Sequence, residues 1–580
     1  MPTNDFQPGE FARPLRLALL LVLAGLLLCV AYLQLGPTDR LKAQSHREQT
    51  RLVYIPPCRG MLQDREGNPL NLSVPSYSIV LRPELVRDPR DTRQRTLEKL
   101  SAEITDLGME LGHEFYQFRP TMEKIERHLR EQPALPLMLW EDIDADTLSR
   151  WTMIRDDHPA AELLLTWRRE YREPTLAPQL RGLVKRSGPR ADGVEKYWNA
   201  NAPELTGASG LEKALDSELA GSGGFERLQT DVLSYRSTVL ESKPSLPGAN
   251  CRLALCLEAQ RLAEQQFRSG GYRGAAVALD LQTGEVLVNL SMPAVPLGVR
   301  DAGEDGAYQN RVLSGYYPPG STIKPLLALY ALDRKLITAE EPVVDCQGFY
   351  ALGERTRLRC SHVHGEVAVV EAIAQSCNVF FSDLAVNMTA EDFDDFARFF
   401  GFGEKPGSAL AVEEIAGIPF SPSWVTQKRK HDPQWHLGDA ANAGIGQGAW
   451  IVTPMQMALA VGFALTGDLL VPNYIVDNKL VILKHYEWSQ EAHRLVVEGM
   501  RQCVLAGTGQ SMNTPRLAML GKTGTAEVGK KLRPHAWMVA AAPADAPRFV
   551  VVVVVEHGGG GGRVAGPIAR ELLLKLTEAK

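Results

Sequence analysis

The stretch YYPPGSTIKPLLALYAL runs from Tyr316 to Leu332 and poses the question that the rest of the chain must answer. Pro318, Pro319 and Gly320 stop any helix from running through, so a helix is expected to begin at about Ser321. Ser321 and Lys324 then stand at i and i+3, on one face and about one turn apart. The residues that follow are apolar on every side, which reads as a buried helix. A helix start offers unpaired N–H groups and positive potential, and both favour a developing oxyanion. The same field, with burial, disfavours a charged lysine. A neutral amine beside a serine can take its proton and leave a nucleophile. Pro325 fits this reading poorly, because it removes an early helical hydrogen bond. Alone, S-x-x-K is a weak sign: an N-capping serine followed by a solvated lysine has the same letters.

Two further elements change the weight of the first. Ser376-Cys377-Asn378 follows the helical run GEVAVVEAIAQ. A second serine there can relay a proton to a leaving amine, and the asparagine can hold a substrate amide, although an ordinary helix-end turn would read the same. GKTGTAE, residues 521–527, is more specific. On a strand it presents Lys522, Thr523 and Thr525 toward one groove, a cation and two hydroxyls suited to a terminal carboxylate. Gly524, lacking a side chain, would let a substrate backbone come close. S-x-x-K, an S-x-N triplet and K-T-G, in this order, form the signature of penicillin-binding proteins and class A β-lactamases.

The rest of the chain supplies a frame. At 580 residues it is too long for one hydrophobic core. The 22 residues from Leu17 to Thr38 carry no charge, and at 1.5 Å per residue they can cross a hydrocarbon layer of about 30 Å. No small-x-small cleavage site follows, so the segment reads as an uncleaved anchor. Residues 1–14 are then a cytoplasmic tail, 15–36 the transmembrane anchor, 37–250 a separate module and 251–580 the domain that carries the motifs. A formal net charge of −6 with no basic stripe argues against nucleic acid as partner. Residues 91–184 read as mostly helical and charged, and ESKPSLPGAN (241–250) as a linker. GAAVALDLQTGEVLVNLS (274–291) reads as a hairpin, and LAMLGKTGTAEV, HAWMVAAAP and RFVVVVVVEH as three late strands. VVVVVV (550–555) reads as a buried central strand and GGGGG (558–562) as a loop at the groove edge. Strands at both ends of this region enclose a helical middle. The expected fold is α/β, more narrowly α+β: an antiparallel sheet completed by both ends of the domain, with helices packed on it.

On these motifs the chain resembles the class B penicillin-binding proteins, membrane-anchored D,D-transpeptidases. CRGMLQDREGNPL (58–70) and GASGLEKALDSELAG (207–221) are similar to segments of that family's non-catalytic domain. YYPPGSTIKP, SCNVFF, GIGQGAWIVTPMQMA (444–458) and GKTGTAE are similar to its transpeptidase motifs. The YPPGS form resembles the elongation-type branch. Two departures stand out: Asn378 where S-x-D is frequent in that branch, and a 169–184 stretch lacking the histidine of the family's inter-domain motif.

The resemblance implies an acyl-enzyme on Ser321, with Lys324 as base and Ser376 protonating the departing D-Ala. Backbone N–H groups of Ser321 and Thr525 would form the oxyanion hole, and Lys522, Thr523 and Thr525 would hold the carboxylate. It further implies stem peptides ending in D-Ala-D-Ala as substrate and β-lactams as mimics. No glycan-polymerising domain is recognised in 37–250, which reads as a pedestal or dimerisation-type domain. That implies a separate polymerase of the SEDS type within an elongation complex. The substrate places the catalytic domain outside the cytoplasmic (inner) membrane, behind a single span.

Residues 345–378 hold Cys346, Cys360, His362, His364 and Cys377. Soft thiol and imidazole donors suit Zn²⁺. Some elongation-type relatives carry a metal in the matching stretch, which implies Cys346, Cys360, His364 and Cys377 as ligands of a structural zinc; catalysis itself needs no cofactor. An oxidising exterior also allows a Cys346–Cys360 disulfide, and the cluster can equally be neither, with His364-Gly365 a plain turn. Other functions remain open on sequence alone: a division-type transpeptidase, a β-lactam-sensing receptor, or a D,D-carboxypeptidase or β-lactamase. A receptor needs more spans or a cytoplasmic effector, and a hydrolase needs a positioned deacylating water.

Overall fold

The computed structural model describes residues 9–35, 50–88, 90–132, 135–188, 204–230, 237–299, 305–354, 356–529 and 532–578. Helix α1 (Gly9–Leu35) stands apart from the body, and its apolar side chains from Leu15 to Val30 are exposed. Its segment Pro14–Tyr32 has mean hydropathy 2.5 and is long enough to cross a membrane. Of the expected tail over 1–14, residues 1–8 lie outside the described residues and the remainder is helical, continuous with the span.

Two larger sheets carry the N-terminal module, beside a two-stranded ribbon of Val184–Ser187 with Glu204–Gly207. Strands β1 (Thr50–Ile55), β4 (Gly224–Thr230) and β5 (Ser237–Lys243) form one, in the order β1-β4-β5. In the other, β2 (Pro69–Leu81) pairs antiparallel with β3 (Ala161–Tyr171) along its length. Helix α2 (Arg93–Leu111) covers the outer end of that pair. Thr92 caps it by accepting from Arg95 N, and Gly112 stops it at φ 136°. Its buried face, Leu97, Leu100, Ile104, Leu107 and Leu111, packs on Ile79, Leu81, Trp140 and Trp151 as a small core of its own.

Strand β3 departs from the helical reading of residues 91–184. AELLLTWRREY has neither a clean alternation nor a helical period, and its Arg169 points inward to a buried carboxylate. That contact comes from residues far along the chain. The expected linker is also more tied down than its prolines suggest: residues 241–243 end β5, Gly248 N donates to Cys58 O and Ala249 N to Glu218 O.

The second domain runs α3 (Leu257–Ser269), β6 (Gly274–Asp280), β7 (Val286–Met292), α4 (Lys324–Asp333), β8 (Phe349–Leu352), β9 (Thr356–Arg359), α5 (Asn378–Asn387), α6 (Pro454–Thr466), α7 (Gln490–Leu505), β10 (Leu520–Ala526), β11 (His535–Ala542), β12 (Phe549–Val555) and α8 (Gly561–Glu578). Its sheet has the order β7-β6-β12-β11-β10, antiparallel throughout, so both ends of the domain do complete it. The valine run is the central strand. Val550, Val552 and Val554 enter the core shared with α4 and α6; Val551, Val553 and Val555 enter the core under α3 and α8. A strand buried on both faces needs no polar alternation. Strand β10, carrying GKTGTA, lies at the sheet's edge, with β11 on one side only.

Where the domains meet, Glu212 is fully buried. It accepts from Arg59 Nε at 2.7 Å, from Arg169 Nε at 2.8 Å and from Asn71 Nδ2 at 2.8 Å. Arg59 also reaches Asp216 at 2.6 Å, and Arg181 bonds Asn71 Oδ1 and the carbonyls of Leu70, Arg172, Glu173 and Leu176. The CRG and SGLE segments are thus structural: they build one buried polar knot in which Arg59, Arg169, Glu212 and Asp216 each have an opposite charge as partner. Around it, Leu62, Leu70, Leu180 and Leu211 join the same apolar cluster as the sheet of the second domain.

Candidate active site

The turn before α4 is held from three sides. Tyr317 exchanges backbone hydrogen bonds with Val452, and its hydroxyl donates to Glu556 at 2.7 Å. Gly320 takes φ 55°, a left-handed conformation that suits glycine, and its N–H donates to Gly446 O at 2.9 Å. A 3₁₀ turn, Gly320–Ile323, follows, and the α-helix begins only at Lys324. The expected start at Ser321 is therefore three residues early. This resolves the difficulty with Pro325: it occupies the first helical turn, where its missing N–H would have had no partner.

Ser321 lines a cleft of about 1080 Å³ that Ser376, Asn378, Thr508, Thr523, Thr525 and Gly561 also border. Lys324 lies beneath, fully buried. Its Nζ donates to Ser376 O at 2.8 Å and Asn378 Oδ1 at 2.7 Å, with Ser376 Oγ at 3.4 Å. These bonds run to the S-x-N triplet rather than to Ser321. Burial, and then the nearby Lys522 cation, push the Lys324 amine well below its ordinary pKa. Once neutral it can keep its two shorter bonds and offer a lone pair.

Lys522 is equally buried. It donates to Ser376 Oγ at 2.8 Å and Thr523 O at 2.9 Å, and burial lowers its pKa to about 8. Ser376 Oγ therefore lies between two amines, one from α4 and one from β10. Ser376 itself sits at φ 59° between two helices, a left-handed residue that costs roughly 1–2 kcal/mol outside glycine. Asn378 has both ends of its amide engaged, Oδ1 by Lys324 and Nδ2 by Arg359 O at 2.9 Å. In this arrangement it orients the lysine.

Gly524 does something other than admit substrate. A Cβ there would meet Thr322 Cγ2 at 2.8 Å, Trp537 Cβ at 2.9 Å and Pro319 O at 3.2 Å. The bare position lets β10 lie against the nucleophile turn. Thr525 is exposed beside it on the free strand edge, with Gln447 Nε2 3.4 Å from its carbonyl. Gln447 falls within the GIGQGAWIVTPMQMA stretch but was given no role from the sequence, and Thr508 went unread; only the small residues around it hinted at a tight turn.

Cys346 Sγ, Cys360 Sγ, His364 Nδ1 and Cys377 Sγ all lie within 4.8 Å of one another. The Cys346 and Cys360 sulfurs are 3.4 and 3.5 Å from His364 Nδ1. A tetrahedral Zn²⁺ with S arms of about 2.3 Å and an N arm of about 2.0 Å spaces its donors by roughly 3.5–3.8 Å, so the set fits. The three cysteines are free, so the Cys346–Cys360 disulfide alternative is not formed in this structure. Cys360 Sγ accepts from Asn378 N at 3.1 Å, so the cluster adjoins the S-x-N triplet directly.

The family model described as the penicillin-binding protein transpeptidase domain matches residues 274–574, and that of the penicillin-binding protein dimerisation domain matches 54–253. The peptidoglycan D,D-transpeptidase MrdA of Acinetobacter baumannii is 30% identical over 93% of this chain and 83% of its own length. MrdA of Escherichia coli is 27% identical over 92% and 88%, and FtsI of the same organism 25% over 92% and 85%. Among solved structures, the complex of a penicillin-binding protein (PBP2) with MreC from Helicobacter pylori shares the fold at TM-score 0.76 and 24% identity, covering 91% of this chain and 99% of that one. A peptidoglycan synthase complex, described as coordinating polymerization and crosslinking, aligns at TM-score 0.67 and 25% identity over 98% and 99%.

Proposed function

The chain belongs to the penicillin-binding proteins, in the class B, elongation-type branch, and from that premise we propose how its residues divide the work. It is a serine-type peptidoglycan D,D-transpeptidase, and its family's chemistry requires no cofactor. Neutral Lys324 takes the Ser321 hydroxyl proton as Ser321 Oγ attacks the carbonyl carbon of the penultimate D-Ala. The N–H groups of Ser321 and Thr525 receive the oxyanion. When the intermediate collapses, the C–N bond breaks and the proton passes from Lys324 through Ser376 Oγ to the leaving nitrogen of the terminal D-Ala. Lys522, Thr523 and Thr525 hold the departing carboxylate. An amine of a neighbouring stem then attacks the ester, regenerates Ser321 and leaves the cross-link.

The observation that carries this assignment is the run Lys324 Nζ–Ser376 Oγ–Lys522 Nζ lying beneath a cleft that opens on Ser321. Ser321→Ala is expected to abolish covalent labelling by a fluorescent penicillin, and labelling that persists in this variant refutes it.

A single N-terminal span anchors the protein, with the catalytic domain on the outer side of the cytoplasmic membrane, where the substrate is. A SEDS-type polymerase of the elongation complex supplies the glycan strands. The support is the match of residues 54–253 to a dimerisation domain and the alignment with a synthase complex that couples the two activities. Co-purification from membranes tests it, and absence of any polymerase would count against it. Cys346, Cys360, His364 and Cys377 would hold a structural zinc, which ties the β8–β9 hairpin to Ser376 and Asn378.

A further inference from the structure

Helix α7 ends at Leu505, and the chain turns back through Gly507, Thr508 and Gly509 toward β10. The turn is held by Gly507 N to Gln502 O at 2.9 Å, Gly509 N to Cys503 O at 2.9 Å and Thr508 N to Ala374 O at 3.3 Å. It delivers Thr508 to the cleft wall, where its Oγ1 lies 2.6 Å from Thr523 Oγ1. On its other side, at 3.4 Å, stands the fully buried thiol of Cys503. Three hydrogen-bonding groups therefore stand in line, from the core to the place assigned above to the leaving carboxylate.

The chemistry of that carboxylate sets the direction of the line. An ionised carboxylate only accepts. For Thr523 to donate to it, the Thr523 oxygen must be the acceptor of the Thr508 bond. The Thr508 hydrogen is then committed to Thr523, and its oxygen is left for the Cys503 S–H. We propose that Thr508 is a positioning residue for carboxylate recognition: it fixes the rotor of the Thr523 hydroxyl so that its hydrogen points at the substrate's terminal carboxylate. This rests on the transpeptidase reading and deepens it. Without Thr508 the Thr523 hydroxyl turns freely, and the donor must be ordered anew at each binding event. Thr508→Val keeps the branched shape and removes only the hydroxyl.

The test compares second-order acylation rates of wild type, Thr508→Val and Thr508→Ser with a penicillin bearing its free carboxylate and with the methyl ester of the same compound. Thr508→Val should lose about tenfold on the free acid, the scale of one hydrogen bond to a charged group, and less than about twofold on the ester, which the wild type already handles poorly. Thr508→Ser should restore the acid rate to within about twofold. Cys503→Ala, one link further back, should reproduce the acid-selective loss at about two- to threefold and guards against a folding defect in the valine variant. Equal losses on acid and ester, or no loss on either, overturn the proposal. A wild type that does not distinguish acid from ester overturns the carboxylate site itself, and the relay with it. Labelling of Ser321→Ala would separately mark the failure of the parent reading.

Discussion

Raising the pH from 7 to 9 should slow acylation by neutralising Lys522. With its pKa pushed down to about 8 by burial, about 90% of the side chain is charged at pH 7 and about 10% at pH 9. The cation proposed to hold the leaving carboxylate is thus depleted about tenfold across this window. Lys324 acts with the opposite sign. Burial and then the Lys522 cation hold it well below the ordinary lysine value, and it must be neutral to take the Ser321 proton, so the acid limb of the profile reports its conversion to a base. Both amines address Ser376 Oγ, and two cations around one oxygen repel, so the protons leave in two steps. The assay is the second-order rate of fluorescent-penicillin acylation from pH 5.5 to 10. A bell is expected with its alkaline midpoint near 8. Lys522→Arg keeps a cation beyond pH 12 and should move the alkaline limb out of range, whatever it does to the amplitude. An alkaline midpoint that stays near 8 in Lys522→Arg, or a wild type whose rate does not fall between pH 7 and 9, refutes the reasoning.

The same lysine carries a stability cost. Its folded pKa lies below the unfolded value of about 10.4, so the cost is full below pH 8, at about 3 kcal/mol, and fades as pH rises toward 10; Lys522→Met should raise the thermal midpoint at pH 7, with a gain that shrinks by pH 10, while abolishing acylation. Gly524→Ala drives a methyl to within 3 Å of Thr322 and Trp537; it should cost about 1–3 kcal/mol by calorimetry and, by pushing β10 off the nucleophile turn, slow acylation more than tenfold. Glu212→Gln removes the charge from beneath Arg59 and Arg169 and should lower stability by about 3–5 kcal/mol, seen in urea unfolding of the extramembrane domains. Elemental analysis should return about one zinc per chain, and stripping it should expose about three additional titratable thiols and lower the acylation rate; a metal-free preparation with unchanged acylation would remove the zinc from the account.

What could be read in the sequence and what could not divide by the reach of the contact involved. Ser321 and Lys324 lie within one turn, and Lys522 to Thr525 lie along one strand, so spacing alone declares which groups share a face. The valine run declares a strand buried on both sides for the same reason. Pro325 was legible and misplaced: the letters show that the helix starts nearby, but the 3₁₀ turn that delays it to Lys324 is imposed by Gly446 and Val452 across the cleft. Arg169 breaks the strand alternation of β3, because the carboxylate that takes its charge lies 43 residues on. Gly524 spoke plainly of close approach but not of what approaches, since Thr322 and Pro319 come from the other side of the domain. Thr508 was silent, because its partner is fixed by the closure of α7 onto β10. The site therefore cannot be assembled from its motifs one at a time. Ser376 works only if amines from positions 324 and 522 arrive on either side of one oxygen, and they arrive there because the last strands of the domain close beside its first. The sheet order, more than any single motif, is what turns two buried lysines and a serine into a proton path.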